Sequence, residues 1–485
     1  MTLFASKAFS IVTGFIFVIA VTRNISSYDF GVWQNIGDMV GYFVMFSGLI
    51  PGWATRSIAR GHKNAASTVV LANLAISIPF FVAWILMAPR FAKIAGSDAF
   101  YYMLAVLMIL GTHLKPAFEG IAQAKRPHLL GADLIIHELT MVTLGAGLVM
   151  FLKLGLEGAL IAVISSNFVD VLFYLVALRS EFGRKMNWTD LRNWLKSSSI
   201  NIYGMVGDRL GSLIGILLIV YGGAIARGYV GAANTVALSI SYASSFGVGL
   251  YPKLLSGGRS EDVETITRMV FMFAIPMVVG TLVLASPLLT ILNPVYGIVT
   301  PVLYLMAVYQ LILCFSGILD TVITGTERID ETSFKMKDLI RSRLFLPSTL
   351  SYASSAIIVP LLYFVLIKTS PSALEAAVYY AAVLYASVPV WLTVRYLVAR
   401  RCLAFRLPVR EFTKYAIASA VMAAILLQLP IPARISTILP IVGLGATVYF
   451  IVLLVIDGET RRLFRGIFME LRGVKNKRTI TKVKE

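Results

Sequence analysis

Apolar runs of about 20 residues, separated by short stretches of charge, Pro and Gly, recur along all 485 residues of the chain. Fourteen can be drawn, at 4–22, 31–50, 65–88, 99–122, 129–152, 156–178, 199–221, 228–251, 266–286, 297–323, 346–367, 372–396, 413–432 and 436–457. None alternates with the two-residue period of a strand. Hydrocarbon cannot satisfy backbone polar groups, so the runs predict membrane-spanning helices. Within several runs the few polar residues share one helical face. The second carries Gln34, Asn35, Asp38 and Tyr42. The fourth carries Thr112, Lys115, Glu119 and Gln123, with Pro116 predicting a kink. The sixth carries Ser166, Asn167, Asp170 and Tyr174, and the fifth has Asp133 and His137 four apart.

Composition agrees: 58% of residues are hydrophobic, only 14% are charged, and mean hydropathy is +0.81. That charge is too sparse to cover soluble domains, which excludes a soluble enzyme and a disordered chain. The formal net charge of +18 would suggest nucleic acid in a soluble protein. Here Lys and Arg sort by loop. With the N-terminus inside, 35 fall on the cytoplasmic side and 7 opposite, the latter being Arg23, Arg90, Lys93, Lys153, Arg227, Lys368 and Arg434, with Arg209 inside a span. The asymmetry predicts a multi-pass protein of the cytoplasmic membrane with both termini cytoplasmic. Attraction to anionic membrane lipids follows, and nucleic acid is not an expected partner. The first run lacks a small-x-small pattern before Arg23 and reads as a retained helix. Cys314 and Cys402 predict no disulfide, and His62, His113, His128 and His137 form no metal motif, so no metal or cofactor is expected.

A six-helix unit recurs at an offset of about 200 residues. Tyr28-Asp29-Phe30-Gly31 opens the second span as Tyr229-Val230-Gly231 opens the eighth; Ala88-Pro89 answers Ser286-Pro287; Glu119 answers Asp320. The predicted organisation is a six-helix lobe at 1–180, an interfacial linker helix at 181–198, a second lobe at 199–400, two further spans at 401–457 and a basic tail at 458–485. In the linker, Trp188, Leu191, Trp194 and Leu195 are read on one side, with Asp190, Arg192, Asn193 and Lys196 elsewhere. The basic loop 328–345 is read as solvated, and the tail from Lys475 to Lys484 as lying on the membrane.

Thr22-Arg23-Asn24-Ile25-Ser26-Ser27-Tyr28-Asp29-Phe30-Gly31, Gly207-Asp208-Arg209-Leu210 and Ala226-Arg227-Gly228-Tyr229-Val230-Gly231-Ala232-Ala233-Asn234 carry a family resemblance. Tyr251-Pro252-Lys253-Leu254-Leu255, Asn293-Pro294-Val295-Tyr296 and Pro301-Val302-Leu303 extend it. Together they resemble the polysaccharide-biosynthesis, oligosaccharide-lipid (Wzx-like) flippases of the multidrug/oligosaccharidyl-lipid/polysaccharide exporter superfamily, over nearly the whole chain. The resemblance implies alternating access between two lobes around a central cavity lined by the first, second, seventh and eighth spans. It implies a lipid-linked oligosaccharide as substrate, on a polyprenyl or dolichyl phosphate or diphosphate, with glycan-assembly proteins as partners.

Charge within the spans bears on this. Asp38, Lys115, Glu119, Asp133, Glu138, Asp170, Asp208, Arg209 and Asp320 all lie in predicted spans. Each would cost about 2.5–3.5 kcal/mol at the bilayer centre, so most must be paired or face a hydrated cavity. Lys115 and Glu119 are spaced to neutralise one another, Asp133 is read as solvated near a helix end, and Asp170 as stitching helices. Asp208 and Arg209, about 100° apart, cannot face one point. For the implied anionic substrate, Arg23, Arg56 and Arg209 are the candidate phosphate contacts, because Arg stays charged and offers a bidentate fork. Asp38, Lys115, Glu119, Asp208 and Asp320 are candidate cavity or coupling residues, with a coupling cation as a further partner. The rivals are a cation-coupled drug exporter, a membrane glycosyltransferase, polymerase or ligase, and a peptidoglycan-precursor flippase. The external loops, about 5–12 residues long by this reading, lack the acidic pair a catalyst would need, so no enzyme is expected.

Overall fold

The structure is a computed structural model describing residues 2–183, 185–327, 342–430 and 434–462. Most of the loop read at 328–345 and of the tail read at 458–485 lies outside the described residues. The main helices are α1 (Thr2–Asn24), α2 (Ser27–Phe43), α3 (Pro51–Ala59), α4 (Ala65–Ala95), α5 (Ala99–Leu104), α6 (Val106–Lys125), α7 (His128–Gly145), α8 (Gly155–Ala177) and α9 (Trp188–Gly211). They continue as α10 (Leu213–Ser241), α11 (Leu250–Leu255), α12 (Ser260–Val283), α13 (Ala285–Leu292), α14 (Thr300–Gly325), α15 (Leu346–Thr369), α16 (Ala373–Cys402), α17 (Val409–Leu426) and α18 (Ile435–Ile456). No strand occurs among the described residues. Ten helical stretches among them are long and apolar enough to cross a membrane. The all-α, multi-pass class read from the apolar runs is therefore the one observed.

One stretch departs from the sequence reading. Asn201–Leu255 is a run of helical segments 55 residues long that contains an apolar window fit to span, about 80 Å if straight, against a hydrocarbon core of about 30 Å. Gly223, at φ 78° and ψ 175°, breaks it. A Cβ on Gly215 would lie 3.8 Å from Arg227 Nε, whereas twelve residues of straight helix would separate them by about 18 Å. The chain therefore doubles back at Gly223, a conformation that favours glycine. The external loop read at 222–227 shrinks to this one residue, and Arg227, assigned to that loop, sits inside the returning helix. Arg395, counted in a cytoplasmic loop, likewise lies inside α16. The linker also differs: α9 runs from Trp188 to Gly211 without a break, so it leads directly into the seventh span.

By internal contacts the chain forms two compact units. The first comprises Met1–Asn234, Leu292–Val302 and Ile329–Trp391. In it α1 packs on α7, α7 on α8, α4 on α6 and α9 on α15. One of its cores gathers Ile36, Met39, Trp84, Tyr102, Ile109 and Leu160, with Trp84 Nε1 donating to the Tyr102 carbonyl at 2.6 Å. The second unit comprises Thr235–Ile291, Leu303–Arg328 and Leu392–Glu485. There α12 packs on α17 and α17 on α18, burying Met272, Tyr415, Met422, Tyr449 and Leu453. Lys414 Nζ lies 2.8 Å from Asp457 Oδ1, and Asp457 Oδ2 accepts from the Thr460 backbone and hydroxyl, which ties α17 to the end of α18.

Candidate functional site

Three sequence segments that carried the family resemblance meet in the first unit. A Cβ on Gly31 of α2 would come within 1.7 Å of the Ala224 carbonyl oxygen, and one on Gly228 within 2.3 Å of the Ser27 carbonyl oxygen. Gly231 faces Gln34 and Phe30. Two helices thus approach backbone to backbone, as small residues permit in membranes. Tyr296 packs against Phe30 and Tyr229, with ring centroids at 6.1 and 6.3 Å. Asn293 Nδ2 donates to the Thr22 carbonyl at 2.8 Å, and Thr22 Oγ1 to the Leu292 carbonyl at 3.0 Å. The motif glycines are a docking surface for the second span on the returning arm of α10. Gly31→Ala is expected to cost about 1–3 kcal/mol by overpacking, while Gly37→Ala, where nothing lies within 4 Å, should be silent. Thermal unfolding of the two purified variants checks this.

Further along α2, two guanidinium groups line up. Arg227 grips Asp38 bidentately, Nε to Oδ2 at 2.7 Å and Nη2 to Oδ1 at 2.9 Å. Three residues on, a Cβ on Gly41 would lie 2.8 Å from Arg209 Nη1. The next residue, Tyr42, donates its hydroxyl to the Arg209 carbonyl at 3.2 Å. Arg209 makes no salt bridge among the described residues. The polar stripe read on the second span therefore divides. Asp38 and Tyr42 face α9 and α10, while buried Asn35 accepts from Tyr102 Oη at 2.5 Å. The geometry offers two planar, permanently charged forks on one helix face, one carrying a carboxylate and one without.

A second polar group joins α6, α7 and α8. Lys115 Nζ lies 2.6 Å from Asp170 Oδ2 and 3.6 Å from Asp133 Oδ2, and His137 Nδ1 lies 2.8 Å from Asp170 Oδ2. Both carboxylates are buried; Asp170 Oδ1 has no hydrogen-bond partner among the described residues, and the Tyr174 hydroxyl lies within reach of Asp133. Two expectations are corrected. Lys115 is neutralised by Asp170 and Asp133 rather than by Glu119, because its side chain crosses to the neighbouring helices. Asp133 is 3% exposed, not solvated. Glu119 is half-buried within electrostatic reach of Lys115, Asp170 and His137. On α7, Glu138 accepts from Ser10 Oγ at 2.5 Å and Thr13 Oγ1 at 2.9 Å, which holds α1 to α7.

The remaining candidates are dispersed. Arg23 is exposed in the last turn of α1. Arg56 is exposed on α3, its guanidinium 5.2 Å over the Trp53 ring. Asp208 is exposed. In the second unit, Asp320 Oδ1 accepts from Arg395 Nε at 2.9 Å. Sequence reasoning missed Arg227 and Arg395. Both stand in apolar surroundings, Ala224-Ile225-Ala226-Arg227 and Trp391-Leu392-Thr393-Val394-Arg395, and that embedding was the available signal.

The fold and site define an all-helical, multi-pass membrane protein with buried ion pairs between its helices, and comparison narrows the class. The chain belongs to the family described as polysaccharide biosynthesis protein, which matches residues 1–256. The lipid II flippase MurJ in an inward closed conformation is similar in fold: 14% identity, 95% of this chain and 99% of that one covered, TM-score 0.70. A multidrug resistance MATE family transporter of the MOP superfamily, inward-facing, is 14% identical over 81% of this chain and 95% of that one, TM-score 0.57. A MATE protein in the straight conformation is 14% identical over 83% of this chain and 94% of that one, TM-score 0.56. No curated protein matches the chain by sequence. The fold is like that of the MurJ flippase and of these MATE transporters.

Proposed function

We propose that the protein translocates a lipid-linked oligosaccharide, on a polyprenyl or dolichyl phosphate or diphosphate carrier, across the cytoplasmic membrane for cell-surface polysaccharide or glycoprotein synthesis. The observation that carries this reading is Arg209, a guanidinium without a salt bridge among the described residues, beside the Arg227–Asp38 pair on one face of α2. A permanent cation in a membrane helix is costly unless an anion meets it, and the Asp208 carboxylate within its electrostatic reach makes no salt bridge with it. Along α2 the helix rise places Gly41 about 15 Å from Gly31, near the Arg23 end, and Arg56 follows beyond the other end. The basic groups therefore mark successive depths along the second span, stations at which a phosphate is held as it crosses. The lipid tail stays in the bilayer, and the two lobes alternate access. The protein's role is binding and conformational change, with both termini cytoplasmic. Glycan-assembly proteins supply and receive the cargo.

Coupling fits the acidic excess around Lys115, where Asp133, Asp170 and Glu119 outnumber the one lysine. Such a group takes up a proton or another cation to approach neutrality in low dielectric. The same excess is the observation favouring the second reading, a cation-coupled drug exporter. Single substitutions of Arg23, Arg56 and Arg209 by Ala test the first reading in proteoliposomes. Slower flipping of a phosphate-bearing lipid-linked glycan at unchanged reconstitution is expected, and full transport by all three variants contradicts it.

A further inference from the structure

The face of α9 that looks away from the protein is neither polar nor plainly apolar. Leu191 and Trp194 are buried, Trp194 donating to Ser57 Oγ at 3.0 Å, and Ser198 donates to the Leu49 carbonyl at 2.6 Å. Asp190 is also turned inward, beside His62 Nδ1 at 3.1 Å and Asn187 Nδ2 at 2.9 Å. That removes the one acid of these turns from the outer face. What remains outside is Trp188, 70% exposed, and Leu195, 46% exposed, interleaved with Arg192 and Lys196. This corrects the reading that set Trp188 and Leu195 with Leu191 and Trp194: the outer pair shares its side with the cations. Trp188, Leu191, Arg192, Leu195 and Lys196 line a shallow groove of about 390 Å³.

We infer that this groove binds the headgroup and upper acyl chain of an anionic phospholipid. Three features select that occupant. Two cations four residues apart, with the nearby carboxylate turned away, complement one phosphate. The apolar wall of Trp188 and Leu195 suits the chain region just below a headgroup, where Trp is favoured. The helix also continues without interruption toward the seventh span, which was read from residue 199, so Arg192 and Lys196 stand in the turns just before it. A soluble acidic partner would satisfy the charges but not the exposed tryptophan beside a membrane. The site is separate from Arg209 and Arg227, which lie against α2, and does not rest on their proposed role.

The test uses the full chain in phosphatidylcholine nanodiscs titrated with phosphatidylglycerol, reading the melting temperature. Each basic side chain near an anionic surface changes binding by about fivefold, so R192Q/K196Q should need roughly 30-fold more phosphatidylglycerol for the same rise. The melting temperature of each variant in phosphatidylcholine alone is its baseline, and the rise above that baseline is what is compared. Trp188→Ala should weaken the response several-fold with the charges intact. R60Q/K63Q, an equal loss of charge at two other exposed positions, should respond as the unmodified protein does. An unchanged response in R192Q/K196Q overturns the inference and gives the groove to another occupant. An equal loss in R60Q/K63Q overturns it in favour of general charge, and a full response to inorganic phosphate in detergent overturns the need for a lipid.

Discussion

Replacing Arg209 by Ala is expected to lower translocation of a phosphate-bearing lipid by about 10- to 100-fold while the protein reconstitutes normally. The magnitude follows from the loss of one charge-assisted contact to the phosphate, about 1.5–3 kcal/mol. Normal folding is expected because Arg209 makes no salt bridge among the described residues, and the carboxylate within its electrostatic reach, Asp208, is exposed. Arg209→Lys should fall between, since an ammonium keeps the charge and loses the planar fork. Gly41→Ala probes the same group from the other side. Its new methyl would lie 2.8 Å from Nη1, and the flexible end of the arginine must move. Transport should drop several-fold with little loss of stability. The flipping rate in proteoliposomes, normalised to reconstituted protein, checks all three; an unaltered rate in Arg209→Ala removes this residue from the phosphate path.

Replacing Asp170 by Ala should damage the fold itself, by about 3–5 kcal/mol. Asp170 is fully buried and receives both Lys115 and His137 through one oxygen. Without it, Lys115 keeps Asp133 at 3.6 Å, beyond a good hydrogen bond, inside a membrane protein. The prediction separates breaking a pair from removing it. Replacing Lys115 by Met together with Asp133 and Asp170 by Leu leaves neither a stranded lysine nor a stranded partner carboxylate and should be milder than Asp170→Ala alone. Melting temperatures of the purified variants decide this. If this triple variant is the less stable one, stranding Lys115 is not what makes Asp170→Ala costly.

Much of this architecture was open to reading because the membrane constrains it. A helix must be long and apolar to cross, so the runs gave α8 to within one residue at each end and α4, α6 and α7 to within about seven, although their packing partners lie far along the chain. Gly31, Gly228 and Gly231 were visible as motif glycines. That they press two helices together was not, since a glycine in a turn and a glycine in a contact look alike in sequence. Charge was harder. Asp38, Lys115 and Asp320 stood out as acids and bases in apolar runs, but a side chain several ångströms long reaches across to other helices. Lys115 thus pairs with Asp170, 55 positions away, and not with the neighbour four positions along. Arg227 was misread for a different reason. A one-residue reversal at Gly223 leaves almost no polar loop, and counting basic residues by loop then assigns an arginine of the helix to the outside.

The central claim is that the basic groups along the second span handle a phosphate. Purified protein in proteoliposomes, offered two lipid-linked glycans that differ only in having or lacking the phosphate linkage, tests it most directly. Transport confined to the phosphate-bearing lipid, and lost in Arg209→Ala, is the predicted result. Equal transport of both lipids, or transport of a cationic drug with neither lipid moved, would contradict it.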